Sequence, residues 1–306
     1  MKPDQVFHNN PDYQHMAWMQ DGLAFTCEGH QQSITFISPA FDRQKQPDRR
    51  FPLVVFLQGS GWTSPNRFAQ LPQLCKYAQH GIAVASITHR DATQGFPFPA
   101  YLKDAKAAIR FLRSQADALA IDPQRVAFMG TSSGGNTALL VGLTGDEPRY
   151  QTEDYQGFSD SVRAVVDCFG PTDLIDFEGS RLSDLYKKSP DISLEFLQSL
   201  AARQDGGVLP LMLALIGQQD VLGVLRAMSP LYQVDKDRAA PPFLILQGDA
   251  DDVVPKSQSD KMHQKLKEAG KDCGYAVIQG AEHEGTFWSD AAHSYIYDFL
   301  ARHLMA

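Results

Sequence analysis

The stretch Gly130-Thr-Ser-Ser-Gly-Gly135 decides the fold of this chain. It follows the apolar run Arg125-Val-Ala-Phe-Met129 and precedes the helix-like run Asn136-Thr-Ala-Leu-Leu-Val-Gly-Leu143. A serine flanked by glycines between a strand and a helix is typical of a nucleophile elbow, in which a sharp turn exposes a weakly nucleophilic hydroxyl. Glycine suits such a turn because it has no Cβ. The alternative is a glycine-rich connection without chemistry, but the strand before and the helix after favour the elbow.

The bulk composition is that of a globular protein with a large core. The chain has 306 residues, of which 43% are hydrophobic, and its net charge is −8. We expect a single domain over residues 1–306, since α/β chains often exceed 200 residues as one domain. The acidic balance gives no basic footprint for nucleic acid or for an anionic membrane, so neither is an expected partner. Composition does not determine an oligomeric state.

The location that the sequence predicts is cytoplasmic. The first residues contain no apolar segment of a signal peptide. No apolar run approaches the ~18 residues of a membrane span. The four cysteines are scattered without metal-ligand spacing, which indicates reduced thiols and no metal site.

Strand-like and helix-like segments alternate along most of the chain, which predicts an α/β fold with a mostly parallel sheet and helices on both faces. In such sheets ligands bind at the carboxyl ends of the strands. Two short strands precede the alternation. The predicted strands are 23–27, 33–38, 53–57, 82–87, 125–129, 163–169, 242–247 and 274–279, and the predicted helices are 71–80, 99–115, 136–143, 256–269 and 287–304.

Residues Leu174–Tyr232 depart from this alternation. Their pattern is mostly helical and rich in leucine. They either complete the core or form a cap that supplies apolar walls to a ligand crevice, and we favour the helical cap insert. Phe196 and Met212 are then candidate substrate-binding residues.

A serine nucleophile needs a histidine base, and the chain has nine histidines. His283 lies in the loop after the last predicted strand, at the crevice end. His89 also follows a strand and is expected to line the pocket, but it precedes the serine, whereas the base follows it in sites of this kind. His263, His293 and His303 are expected on solvated helix surfaces.

The acid that orients the base is expected in the loop after the preceding strand. Asp249, Asp251 and Asp252 compete for this role. Position within the loop favours Asp251. The alternative for each is that it caps or solvates a turn, because aspartate is common in turns.

An oxyanion hole needs two backbone N–H groups near Ser132 Oγ. One is expected from Ser133, which begins the elbow helix. The other is expected from the loop Gln58-Gly-Ser-Gly-Trp62, from the Ser60 or the Gly61 amide, because glycine allows close approach to a ligand. Trp62 is a further candidate for contact with substrate. The alternative reading of this loop is a simple tight turn.

Together these motifs resemble the α/β-hydrolase superfamily, within the esterases that carry an H-G-G-G-W-type loop. That group includes hormone-sensitive-lipase-like carboxylesterases and the acetyl or feruloyl esterases of plant polysaccharides. The resemblance spans roughly residues 50–300. It rests on the 58–62 loop, the helix of residues 98–113, the segment 121–125, the elbow, Ser229-Pro230 and the motif H-G-x-x-D-x-x-V-P, here Gln247-Gly-Asp-Ala-Asp-Asp-Val-Val-Pro255.

The resemblance implies an α/β-hydrolase fold of the eight-stranded type and a serine esterase that forms an acyl-enzyme. On that match Ser132 is the nucleophile, Asp251 the acid and His283 the base. The substrate is then a small-molecule or carbohydrate ester with a short acyl, acetyl or feruloyl group, and no cofactor is implied.

This chain departs from the family pattern at three positions. Gln58 and Ser60 replace the usual histidine and middle glycine of the loop, and Gln247 replaces a frequent histidine. The alternatives are a small peptidase related to prolyl oligopeptidases and a non-catalytic binding protein of the same fold. A dinucleotide enzyme is disfavoured because no G-x-G-x-x-G opens a helix after an early strand.

Overall fold

A computed structural model describes residues 3–177, 209–217 and 220–305. Its strands and helices alternate through most of the chain. The strands are β1 (Ala17–Cys27), β2 (His30–Pro39), β3 (Phe51–Leu57), β4 (Ala83–Ile87), β5 (Ile121–Thr131), β6 (Ala164–Cys168), β7 (Phe243–Gly248) and β8 (Cys273–Ile278). The helices are α1 (Leu71–Gln79), α2 (Ala100–Ser114), α3 (Ala116–Leu119), α4 (Ser133–Leu143), α5 (Leu209–Ile216), α6 (Val221–Met228), α7 (Lys256–Glu268) and α8 (Asp290–Leu304).

All eight strands belong to one sheet, in the order β1-β2-β4-β3-β5-β6-β7-β8. β1 and β2 pair antiparallel, as do β2 and β4, and the remaining neighbours are parallel. The mostly parallel sheet predicted from the sequence is therefore confirmed, with an antiparallel edge. Every residue of β3 is buried, as expected of a strand that is covered on both faces.

The two faces of the sheet carry separate hydrophobic layers. Leu53, Val55 and Leu57 point into one layer, while Val54 and Phe56 point into the other, because successive side chains of a strand alternate. α2, α4 and α7 contribute apolar side chains to the first layer, and α1 and α8 contribute to the second. The prediction of helices on both faces is confirmed.

The first strand and the last helix begin at residues other than those predicted from the sequence. β1 begins at Ala17, where the sequence predicts a strand only from residue 23. The last helix begins at Asp290 and not at Phe287, because residues Gly285–Phe287 form a 3₁₀ turn and the Ser289 hydroxyl accepts the Ala292 N–H as a helix N-cap.

Among residues 3–177, 209–217 and 220–305, none of the helices is both long enough and apolar enough to cross a bilayer.

The direction of the strands determines where the site lies. Because β3 to β8 run parallel, the loops that follow β3, β5, β7 and β8 emerge at the same edge.

Candidate active site

Ser132 occupies the sharp turn between β5 and α4. Its φ of 51° and ψ of −123° are unusual for a residue that is not glycine, and such strain is often found at functional sites. A Cβ on Gly130 would collide with the Gly134 carbonyl, and a Cβ on Gly134 would collide with the Leu57 carbonyl. The glycines are therefore required by close backbone contact, and the elbow geometry is as the sequence predicts.

The structure brings Ser132, His283 and Asp251 into one hydrogen-bonded chain. His283 Nε2 lies 3.1 Å from Ser132 Oγ, and His283 Nδ1 lies 2.8 Å from Asp251 Oδ2. When Nδ1 carries the proton, it donates to the carboxylate, and Nε2 is free to accept the serine hydroxyl proton. This is the geometry that a serine nucleophile, a base and an orienting acid require.

Asp251 is held by four donors. Its Oδ2 accepts from His283 and from the Gln247 amide at 3.0 Å, and its Oδ1 accepts the Val253 and Val254 N–H groups. Burial acts to raise the pKa of this carboxyl, but the hydrogen bonds from His283 and the backbone outweigh burial and lower the pKa below its ordinary 3.8. Asp251 is therefore ionised throughout the neutral range.

The two competing carboxylates lie elsewhere. Asp249 is exposed and its Oδ1 accepts the Gly280 N–H, so it braces the following loop. Asp252 is exposed as well. Of the three aspartates in this loop, the structure places Asp251 against His283.

Gln247 is a positioning group that the sequence identified only as a departure from the family pattern. It is fully buried at the end of β7. Its Nε2 donates to Asp251 Oδ2 and to the Val254 carbonyl, and its Oε1 accepts the Ser259 hydroxyl. The Gln247 amide and His283 Nδ1 thus bind the same oxygen of the Asp251 carboxylate.

The segment after His283 is strained. Glu284 has φ 65° and ψ −150°, a region that residues other than glycine rarely adopt. The Trp288 indole N–H donates to Glu284 Oε2 at 2.9 Å, which ties this residue to the start of α8. Phe169 packs edge-on against the His283 ring with centroids 4.7 Å apart. Sequence reasoning identified neither contact, because neither has a local pattern.

The loop of residues 58–62, which follows β3, lies directly against the elbow. The Gly59 N–H donates to Thr131 Oγ1 at 2.8 Å, and the Ser60 N–H donates to Ser133 Oγ at 2.9 Å. The sequence predicts Ser60 as an oxyanion donor, but here its N–H is engaged by the Ser133 hydroxyl. The Gly61 N–H has no hydrogen-bond partner among the described residues.

The four candidate pocket residues have different outcomes. Trp62 and His89 are both buried. Each ring packs against the Tyr101 ring, with a centroid distance of 6.0 Å in both pairs. Burial lowers the pKa of His89, and hydrogen bonding to the Arg90 carbonyl only partly offsets this effect, so His89 is neutral near pH 7. Phe196 lies outside the described residues. Met212 lies in α5, and its side chain is outside the description.

His293 differs from the prediction of a solvated position. It is only 7% exposed, and it stacks on Trp288 with centroids 4.9 Å apart. The Tyr77 hydroxyl lies 3.1 Å from its Nδ1. The prediction was wrong because His293 faces α1. The sequence of α8 by itself does not show which helix packs against this face.

Asp167 is a buried carboxyl beneath the elbow. It pairs with Gly130 in the sheet and is fully buried. Its Oδ1 accepts the Gly170 N–H, and its Oδ2 has no partner. Burial raises the pKa of Asp167 to about 7, an effect that the Gly170 hydrogen bond only partly offsets.

We expect Asp167→Asn to weaken the pH dependence of stability. A carboxyl with a raised pKa stabilises the folded chain fully below its ordinary pKa of 3.8, and this contribution is lost as the pH rises toward about 7. The loss is on the order of 4 kcal/mol. Thermal melts from pH 4 to pH 8 measure it, with the exposed Asp237→Asn as the control. Parallel pH profiles for Asp167→Asn and the unsubstituted protein would contradict the raised pKa.

No group of three or more His, Cys, Asp or Glu side chains within residues 3–177, 209–217 and 220–305 is arranged to hold a metal ion. The arrangement of Ser132, His283 and Asp251 is suited to nucleophilic attack by the serine oxygen on a carbonyl carbon.

The chain is similar in sequence to a known protein family and to curated esterases. The BD-FAE family model matches residues 41–266, which is well over half of the chain. Esterase LipC of Mycobacterium tuberculosis is 29% identical over 79% of this chain. The chain spans about half the length of the curated relatives it matches, with 55% of LipC covered.

Solved structures agree in fold. A truncated carbohydrate esterase from gut microbiota superimposes with a TM-score of 0.72 at 26% identity, covering 97% of this chain and 99% of that one. A bifunctional GH43-CE protein of Bacteroides eggerthii gives a TM-score of 0.73 at 27% identity, covering 95% of this chain and 36% of that one. The α/β-hydrolase fold predicted from the sequence is confirmed.

Proposed function

The chain belongs to the BD-FAE family, and from that membership we propose that it is a serine esterase that hydrolyses carboxylic esters through an acyl-enzyme. The single observation that supports this most is the hydrogen-bonded chain from Ser132 Oγ through His283 to Asp251. It lies where a ligand crevice is expected, at the carboxyl ends of β5, β7 and β8.

In the proposed mechanism Ser132 Oγ attacks the ester carbonyl while His283 Nε2 takes the hydroxyl proton. Asp251 stabilises the imidazolium that forms and keeps the ring oriented. The tetrahedral intermediate collapses as His283 returns the proton to the leaving alcohol. Water then attacks the acyl-enzyme with His283 as base, which releases the acid and regenerates Ser132.

We assign the oxyanion contacts to the Ser133 and Gly61 amides. Ser133 is the first residue of α4, where free N–H groups and the helix dipole favour negative charge. Gly61 adopts φ 62° in the adjacent loop, and its N–H is not engaged by any of the described residues. Each such donor contributes on the order of 10²–10³ in kcat.

For the substrate class we propose a short acyl, acetyl or feruloyl ester, carried on a carbohydrate. The support is the likeness to the carbohydrate esterase from gut microbiota, at 26% identity, and to the bifunctional GH43-CE protein, at 27% identity.

A panel of substrates tests the activity and its class. It contains p-nitrophenyl esters of increasing acyl length, acetylated sugars, feruloyl esters and aminoacyl amides, all assayed against one preparation. Turnover of esters with little turnover of amides is expected. Faster cleavage of amides than of esters would favour a peptidase, and binding without turnover of any substrate would favour a non-catalytic protein.

We also propose a single domain in which residues 174–232 form a cap over the crevice. α5 is joined to the segment that precedes α2, since the Phe98 N–H donates to the Leu215 carbonyl at 2.8 Å, and Leu215 is fully buried. Phe98 in turn packs against Tyr101, which neighbours Trp62.

Shortening the cap side chains is expected to change substrate choice. Met212→Ala and Phe196→Ala should alter the ranking of p-nitrophenyl esters by acyl length more than they alter the rate on acetate, because apolar walls select acyl size. Leu266→Ala, in the core on α7, is the control that should lower stability without changing the ranking. An unchanged ranking in both cap variants would favour a purely structural segment.

A further inference from the structure

Two side-chain hydroxyls of the elbow bind two consecutive amides of the 58–62 loop. Thr131 Oγ1 accepts the Gly59 N–H at 2.8 Å, and Ser133 Oγ accepts the Ser60 N–H at 2.9 Å. Thr131 and Ser133 immediately flank the nucleophile along the chain. Both are buried, at 0% and 2% exposure.

We propose that the Thr131 and Ser133 hydroxyls are positioning residues that hold the 58–62 loop at the correct distance from Ser132. The inference rests on the proposed function. In this arrangement the loop delivers the Gly61 N–H to the oxyanion, while the two preceding amides serve as attachment points to the elbow. The hydroxyls do not contact substrate; they act through the loop.

The fit between loop and elbow explains why hydroxyls are used. A Cβ on Gly59 would lie 2.5 Å from Ser132 Cβ and 2.7 Å from the Thr131 carbonyl oxygen. The loop backbone therefore contacts the elbow with no space for an apolar side chain between them. Hydrogen bonds act at this short range, and they also satisfy the two half-buried amides.

The remainder of the loop is internally braced. The Thr63 N–H donates to the Ser60 carbonyl, the Ser60 hydroxyl donates to the Thr63 carbonyl, and the Thr63 hydroxyl donates to the Ser60 carbonyl. Gly61 and Trp62 lie within this turn with φ of 62° and 60°. Because the turn is rigid, a displacement at Gly59 or Ser60 is transmitted to the Gly61 N–H.

The position of these hydroxyls makes the elbow and the oxyanion loop one unit. Thr131 and Ser133 are bonded to Ser132 along the chain, and their hydroxyls hold the 58–62 loop. A shift of Ser132 therefore also shifts the loop. Loss of one hydroxyl therefore leaves a half-buried amide without its partner and frees the loop to move away from the developing charge. The effect is expected on transition-state stabilisation and not on ground-state binding of the ester.

The test uses Thr131→Val and Ser133→Ala, each of which removes one hydroxyl. Thr131→Ser restores the hydroxyl without the methyl group. The control is Thr144→Val, which removes an equally buried threonine hydroxyl that donates to the Leu140 carbonyl at the far end of α4. The measurements are kcat and KM on p-nitrophenyl acetate, and the inhibition constant of a short-chain alkyl trifluoromethyl ketone, which forms a tetrahedral adduct with the serine.

We expect Thr131→Val and Ser133→Ala to lower kcat by about 10-fold to 100-fold, since each leaves one amide unpaired. KM should change little, while the inhibitor should weaken by the same factor as kcat. Thr131→Ser should recover most of the rate, and Thr144→Val should retain it.

Undiminished kcat in both hydroxyl-less variants would overturn the inference, as would a lowered kcat with unchanged inhibitor affinity. These two substitutions remove different hydroxyls, so failure of one variant to fold leaves the other to decide. An unsubstituted protein that neither turns over esters nor binds the ketone would reject the proposed function itself, and the inference with it.

Discussion

Ser132→Ala is expected to lower kcat on a carboxylic ester by about 10³-fold to 10⁶-fold while the fold stays intact. In the proposed mechanism the acyl bond forms to Ser132 Oγ, which lies 3.1 Å from His283 Nε2. Alanine removes that oxygen and relieves no packing constraint, because the elbow is set by the glycines on either side. The loss should therefore lie in chemistry and not in stability.

A fluorophosphonate probe tests directly whether Ser132 is the nucleophile, because it labels an activated serine. The unsubstituted protein should be labelled and Ser132→Ala should not. Ser60→Ala serves as the matched control, since it removes another serine hydroxyl beside the site, one that donates to the Thr63 carbonyl, and should still be labelled. Equal labelling of Ser132→Ala and the unsubstituted protein would reject Ser132 as nucleophile.

Asp251→Asn is expected to cost on the order of 10³–10⁴ in kcat, the largest loss among the three aspartates of its loop. An asparagine amide that donates toward His283 Nδ1 stabilises the tautomer with the proton on Nε2, which cannot accept the serine proton. The negative charge that stabilises the imidazolium is lost as well. His283→Ala should abolish turnover altogether, because no other base contacts Ser132 among the described residues.

The control substitutions are Asp249→Asn and Asp252→Asn. Both carboxylates are exposed, and neither is bonded to His283, so smaller losses are expected. The three variants are compared by kcat/KM on one acetyl ester. A greater loss in Asp252→Asn than in Asp251→Asn would place the acid one residue further along the chain.

The lowered pKa of Asp251 also affects the stability of the fold at acid pH. Because hydrogen bonds lower the pKa of this carboxyl in the folded chain, its ionised form stabilises the fold above the ordinary pKa of 3.8. That stabilisation is lost as the pH falls through the lowered value. The negative charge that faces His283 Nδ1 is therefore present throughout the neutral range.

Much of the fold was predictable because its signals are local. The continuous apolar run of β3 and the strand-to-helix turn at Gly130–Gly135 follow from consecutive residues. Boundaries differ where caps and turns decide them, as at Ser289, where the hydroxyl caps α8 and the helix begins three residues later than the apolar pattern suggests.

The site was predictable in part. The order of motifs along the chain identified Ser132 and His283, and the structure brings them together although 151 residues separate them. Position in a motif also favoured Asp251, but Asp249 and Asp252 had the same chemistry. Only the turn after β7, in which the Val253 and Val254 amides and Gln247 bind the carboxylate, places one of the three against the imidazole.

The sequence by itself determined the parallel α/β architecture, the elbow and the candidate residues, because each of these depends on residue type and spacing over short stretches. Tertiary structure alone decided that Ser133 Oγ binds the Ser60 N–H, 73 residues away, and that His293 is buried against Tyr77. Hydrogen-bond partners and burial depend on which elements pack together. That packing is a property of the whole sheet and its two helical layers, and no local pattern of residues records it.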